Sequence, residues 1–198
     1  MLVNSKGAPI STPLEVFIAF PVYREVPSQT LVSFVRTIEM LNAQHISYQC
    51  GILQGCSQVC NARNLLVKQF LETKATHLFW IDSDMVWQPE DFVRLLQAGV
   101  DCVNVGYVAK DTRFFRLNHG LGFCCVKRVV MEKLSAAAPM GTTLEGSFPQ
   151  VFQYAPHLGI AGEDIEFYRA VKGIGYTPRR TEDVHLGHVG TYVYEEKP

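Results

Sequence analysis

Between residues 15 and 108, short apolar runs alternate with longer segments of helical period, and this alternation narrows the possible folds more than any other feature. EVFIAF (15–20) is an apolar run closed by Pro21 and reads as a buried strand. Ser28 follows as a helix N-cap, with Leu31, Phe34, Val35, Ile38 and Leu41 at helical spacing behind it. ISYQCGIL (46–53) reads as a second strand, and Ala62, Leu65, Leu66 and Phe70 mark a second helix. HLFWI (77–81) is a third strand. Pro89, Glu90 and Asp91 then open a third helix, because Pro suits a first turn and acids complement the helix dipole. DCVNVGYV (101–108) makes a fourth strand. A β-α-β-α-β-α-β order predicts an α/β fold: a mostly parallel central sheet with helices on both faces and right-handed crossovers.

The second half is less regular. GFCCV (122–126) reads as a strand, 127–137 as a helix, and Gly162-Glu163-Asp164 as the start of a helix that stops at Gly173. VHLGHVG (184–190) is a last short strand or loop. Residues 138–161, rich in Pro, Gly and aromatics, show no period, and so long a loop in a compact domain is functional or mobile. No repeat or linker interrupts the pattern. The expected organisation is a loose N-terminal arm (1–14) and one domain (15–198).

Composition excludes several function classes. Lys plus Arg number 18 against 19 Asp plus Glu, a formal charge of −1, whereas a chain built to hold nucleic-acid backbone carries a basic excess. At 198 residues, 47% hydrophobic and 19% charged, the chain has the profile of a globular domain that buries roughly 70% of its unfolded surface without a disulfide or structural metal. Cys50, Cys56, Cys60, Cys102, Cys124 and Cys125 form no C-x-x-C pair and read as reduced core thiols. The N-terminus has no apolar signal-peptide core, and no run approaches the roughly 18 apolar residues of a membrane span. The expectation is a cytoplasmic protein with no nucleic-acid partner and no transmembrane segment.

Three short motifs carry chemistry. Asp82-Ser83-Asp84 stands at the carboxyl end of HLFWI, where open α/β sheets bind their ligands. Two such carboxylates are turn-forming acids or, in this apolar setting, oxygen ligands for a hard divalent cation, Mn²⁺ or Mg²⁺. Glu163-Asp164 opens a helix, a position the dipole favours on structural grounds alone. His185-Leu-Gly-His188-Val-Gly offers an imidazole flanked by glycines, and neutral imidazole completes oxygen-rich Mn²⁺ sites.

In their order along the chain, FIAFPVY, CNARN (60–64), FWIDSDM, GLGF with Lys127-Arg128, GEDIEF and HVG resemble the GT-A glycosyltransferases, over roughly residues 15–192. The likeness is to small GT2-like enzymes of viral and phage type, with a distant echo of Anp1-type mannosyltransferases. It implies a Rossmann-like GT-A domain that moves a sugar from a UDP- or GDP-linked donor to a glycan or other hydroxyl acceptor. In such enzymes Pro21, Val22 and Tyr23 would line the base and Arg63 would lie near the nucleotide. Asp82 and Ser83 would serve the donor, and Lys110 and Gly122 would lie near its sugar. The metal would be held by Asp82, Asp84 and His188, with His185 as the substitute for His188. Asp164 matches the family's catalytic base for inverting transfer, with Glu163 beside it, whereas an Anp1-type kinship would imply retention. Two rivals are a nucleotidyltransferase, disfavoured because FPVYREVP lacks a glycine-rich phosphate loop, and a non-catalytic nucleotide-sugar-binding module.

Overall fold

A computed structural model describes residues 13–110, 116–143, 146–153, 162–190 and 193–194. Most of the predicted arm and residues 154–161 of the aperiodic stretch lie outside the described residues. The central sheet is formed by β1 (Glu15–Val22), β2 (Ser47–Gln54), β3 (His77–Ile81), β5 (Cys102–Val105), β8 (Phe123–Lys127) and β11 (Arg179–Thr181), in the order β11-β5-β8-β3-β1-β2. β8 runs antiparallel to both its neighbours and every other pairing is parallel, so the sheet is mostly parallel, as the alternation predicts.

Each inner strand is apolar on both faces because each face is covered by helices. Val16, Ile18 and Phe20 of β1, Phe79 and Ile81 of β3, and Phe123 and Cys125 of β8 join one core. That core packs against α1 (Ser28–Ala43) and α3 (Pro89–Leu96). The alternate residues Phe17, Ala19, Leu78, Trp80, Cys124 and Val126 face the second core. There they meet α2 (Val59–Glu72), α4 (Arg128–Ala137) and α5 (Glu163–Gly173).

Four expectations are corrected. Ser28 is the first helical residue of α1 and not its cap, because Pro27 occupies the cap with extended backbone. The buried stripe of α1 is also rotated: Thr30, Ser33, Thr37 and Leu41 are buried while Leu31 and Val35 are exposed. The cause is Trp87, whose ring N–H donates to Thr37 Oγ1 (2.8 Å) and whose backbone N–H donates to Ser33 Oγ (3.2 Å). A buried indole needs acceptors, so hydroxyls take the inward face. The run 101–108 is two strands, β5 and then β6 (Tyr107–Val108), which leaves the central sheet to pair with β7 (Arg116–Leu117). Finally, the stretch from 138 contains a hairpin of β9 (Met140–Thr143) and β10 (Gly146–Pro149).

A small second sheet matters for the site. β4 (Met85–Val86) pairs with β12 (Gly187–Val189), which pairs with β13 (Val193–Tyr194). All six cysteines are free; Cys60, Cys102, Cys124 and Cys125 are buried as expected, Cys56 is half-buried and Cys50 is exposed. Among the described residues no helix is long and apolar enough to cross a membrane.

Candidate functional site

The carboxyl ends of β1, β3 and β5 and the loop entering antiparallel β8 share one edge of the sheet. A cavity of about 270 Å³ opens there, lined by Pro21 and Tyr23 after β1, Cys56 and Ser57 after β2, Arg63 on α2, Asp82-Ser83-Asp84 after β3, and Glu163 at the start of α5. Of the residues expected around a base, Pro21 and Tyr23 are present. Val22 is not: its side chain is in the core, and its carbonyl accepts from Gly55 N–H at 2.9 Å.

Arg63 is the centre of the site. It is only 2% exposed, donates from Nη2 to Asp82 Oδ1 at 2.9 Å, and places Nε 3.6 Å from Glu163 Oε1. Its guanidinium lies over the rings of Trp80 and Phe152. Nε and Nη1 are buried and have no hydrogen-bond partner. Burial pushes the Asp82 carboxyl up, with Asp84 adding to the shift and Arg63 opposing it.

Asp84 is held differently. Its Oδ2 accepts from Lys110 Nζ, and its Oδ1 lies 3.6 Å from His188 Nε2. Burial raises its pKa, but the facing His188 and Lys110 outweigh burial and hold the carboxyl below the usual aspartate value. The small sheet makes this meeting: His188 stands opposite Met85, and Val189 N–H donates to Asp84 O at 2.7 Å. His188 Nδ1 is 3.0 Å from Val108 O, a contact in which Nδ1 donates, so Nε2 is the ring nitrogen that faces Asp84. His185 stands apart, in a separate cavity of about 310 Å³ beside Asp91 and Arg94.

Asp164 sits in the first turn of α5, capped by Gly162. Burial and the adjoining Glu163 charge push it up to about 7, with Arg63 acting in the opposite direction. A carboxyl with a pKa near neutrality is suited to accept a proton, and of this acidic pair it is Glu163 that lines the cavity, with Asp164 next to it in the chain. Tyr107, which the sequence reading missed, is buried beneath these groups, its ring edge-on to His188 with centroids 5.1 Å apart. A Cβ on Gly122 would lie 2.9 Å from Tyr107 Oη and 3.1 Å from Asp82 Oδ2, so glycine permits the close approach. Tyr107 follows β5 at the ligand-binding edge, the same positional signal that marks Asp82 after β3.

No family model matches the sequence, and no curated protein does. Solved structures do. The chain is similar to A197 from STIV, with a TM-score of 0.56 and 21% identity, over 89% of this chain and 86% of that one. It is also similar to the catalytic domain of Drosophila β1,4-galactosyltransferase 7 in complex with xylobiose (TM-score 0.57, 12% identity, 86% of this chain and 66% of that one). A third likeness is to a glycosyltransferase involved in glycosylation of the major capsid of PBCV-1 (TM-score 0.53, 12% identity, 85% and 82%). A D211N form of the Drosophila enzyme, matched at TM-score 0.53 and 14% identity over 86% of this chain and 66% of that one, holds manganese, UDP-Gal and xylobiose. At these identities the likeness is one of fold.

Proposed function

From the GT-A glycosyltransferase fold that those likenesses establish, we propose that the chain transfers a sugar from a UDP- or GDP-linked donor to a hydroxyl acceptor, with inversion and with Mn²⁺ or Mg²⁺ as cofactor. The observation that carries this reading is the convergence of Arg63–Asp82, Asp84–His188 and Asp164 at the carboxyl edge of the sheet. Manganese, UDP-Gal and xylobiose on the Drosophila enzyme agree with it at the level of chemical class.

The donor set suits a divalent cation. Asp84 is held ionised and His188 turns Nε2 to it, an oxygen–nitrogen pair that such ions accept when the imidazole is neutral. Among the described residues no group of three His, Cys, Asp or Glu is close enough to bind a metal alone, and Asp82 is engaged by Arg63. Asp84 and His188 would therefore hold the ion together with diphosphate oxygens, while Asp82 keeps Arg63 in place. When bound, the cation supplies neutralising charge to the departing diphosphate. Arg63 lines the cavity and would bring positive charge to donor oxygens, and exposed Tyr23 offers a ring on which a base can stack. Asp164, in its carboxylate form, takes the proton of the acceptor hydroxyl as the oxygen attacks the sugar carbon; the diphosphate leaves without needing a proton donor. The base role belongs to the inverting, GT2-like reading and would have no place in an Anp1-type retaining enzyme. Lys110 and Gly122 would serve the donor side, Gly122 by leaving room beside Asp82.

Calorimetry of UDP and GDP with and without Mn²⁺, followed by transfer assays on nucleotide-sugar panels, tests the proposal. Asp164→Asn is expected to keep metal-dependent nucleotide binding and to lose transfer by roughly 10²–10⁴-fold. Nucleotide affinity that ignores Mn²⁺ in the wild type, or near wild-type transfer by Asp164→Asn, would overturn the metal or the base assignment respectively.

A further inference from the structure

The cleft carries a cation of its own, placed where an incoming ion would be attracted. One oxygen of Asp84, Oδ2, is occupied by the Lys110 ammonium, and the other, Oδ1, lies 3.6 Å from His188 Nε2. β6 sets up both contacts, because its Val108 carbonyl orients the His188 ring and Lys110 follows two residues later. Building on the proposed function, we infer that Lys110 is a resident counter-ion of Asp84, which opposes a divalent cation binding alone and couples its entry to that of the donor diphosphate.

Three observations carry this. First, an ion shared by Asp84 and His188 would sit beside an ammonium already bonded to the same carboxylate. Like charges at that separation in a partly buried site repel strongly. Second, the protein offers too few ligands to offset that repulsion, since no cluster of three ligating side chains exists among the described residues and Oδ1 of Asp82 is already bonded to Arg63. Third, Lys110 is about one-third exposed, so its four-carbon stem is free to swing. A diphosphate gives it an anion as strong as the one it leaves. Lys110 then moves from Asp84 to phosphate, Asp84 is released to the ion, and each ligand removes an obstacle to the other. Linkage makes the effect reciprocal: nucleotide must tighten Mn²⁺ by the same factor as Mn²⁺ tightens nucleotide.

The test is Mn²⁺ binding, read by electron paramagnetic resonance of the free ion and by calorimetry, with and without UDP or GDP. In the wild type Mn²⁺ alone binds weakly, and nucleotide tightens it within the roughly 5–150-fold range usual for coupled sites. Lys110→Met is expected to bind Mn²⁺ alone about tenfold more tightly than wild type while the coupling shrinks correspondingly. Lys110→Gln should behave like Lys110→Met, Lys110→Arg like wild type, and Lys133→Met, at a distant exposed lysine, should change nothing. Lys110→Met and Lys110→Gln proteins that fold normally but bind Mn²⁺ alone no better than wild type would overturn the inference. The metal reading survives that result if nucleotide-dependent Mn²⁺ binding persists and Asp84→Asn abolishes it. Absence of Mn²⁺ binding in every protein, with nucleotide or without, would overturn both.

Discussion

Arg63 shows how a single side chain can hold a site together at a cost the rest of the fold must offset. It is buried against two aromatic rings, and its charge is balanced by Asp82 at 2.9 Å and Glu163 at 3.6 Å. Bringing a guanidinium and two carboxylates out of water opposes folding, and mutual attraction recovers that loss only while all partners remain. Removing the cation is therefore worse than never having had it. Arg63→Met is expected to destabilise the protein by about 3–5 kcal/mol in urea unfolding, the usual result of leaving buried charge unpaired. Arg63→Lys should recover only part of the loss, because an ammonium cannot reach both carboxylates with the planar fork that guanidinium offers. If Arg63→Met unfolds at the wild-type urea midpoint, Asp82 and Glu163 are solvated well enough to need no counter-ion.

At the level of elements, α2 ties the donor side of the cleft to the segment after the β9–β10 hairpin. Asn64 Nδ2 donates to Phe152 O at 2.9 Å and Asn64 Oδ1 accepts from Phe152 N at 2.8 Å, so one buried side chain replaces a strand neighbour. Phe152 in turn stacks on Phe167 of α5, with centroids 5.1 Å apart and planes within 8°. Asn64→Ala strands a buried N–H and a buried C=O, and should cost about 2 kcal/mol while exposing residues 146–153 to limited proteolysis. An unchanged digestion pattern would show that the stacked ring alone holds the segment. This clamp illustrates what local sequence conveys and what it does not. Asp82, Asp84, Glu163 and Asp164 are legible because an apolar run ending in acids, or acids opening a helix, is a signal contained within a few residues. Asn64 and Arg63 lie in an ordinary helical pattern, with partners 88 and 19 residues away; Arg63 is marked only by the CNARN resemblance, and nothing local marks the clamp made by Asn64. The parallel strands and their helices were readable from alternation. The turn of α1 toward Trp87 was not, since it follows from an indole 50 residues distant, and neither was β4, whose pairing with β12 is two residues long; β12 itself falls in 184–190, which the sequence leaves open between strand and loop.

Across the whole molecule, the pH dependence of stability is set by groups on opposite sides of the sheet that act with opposite sign. His77 enters β3 at the end remote from the cleft, and burial, with a smaller contribution from Lys127, lowers its pKa from 6.5 to about 4. Between those values the unfolded chain binds a proton that the folded chain refuses, so stability falls on acidification, by up to about 3 kcal/mol once pH drops below 4. Asp164 does the reverse. Its carboxyl is pushed up from 3.8 to about 7, so the folded chain holds a proton that the unfolded chain has released, and acidification through that window restores stability. The low-held Asp84 contributes mainly below its ordinary pKa of 3.8, outside the range in question. Urea unfolding between pH 7 and 4.5 is therefore expected to show a shallow wild-type profile produced by cancellation. His77→Gln should gain stability as pH falls, because the raised carboxyls of Asp164, Asp82 and Asp91 then act unopposed by His77, and Asp164→Asn should lose stability relative to wild type, because one of the carboxyls that oppose His77 is gone. Parallel profiles for wild type and His77→Gln would mean that His77 titrates as it does in water, and the shallow curve would then need another origin.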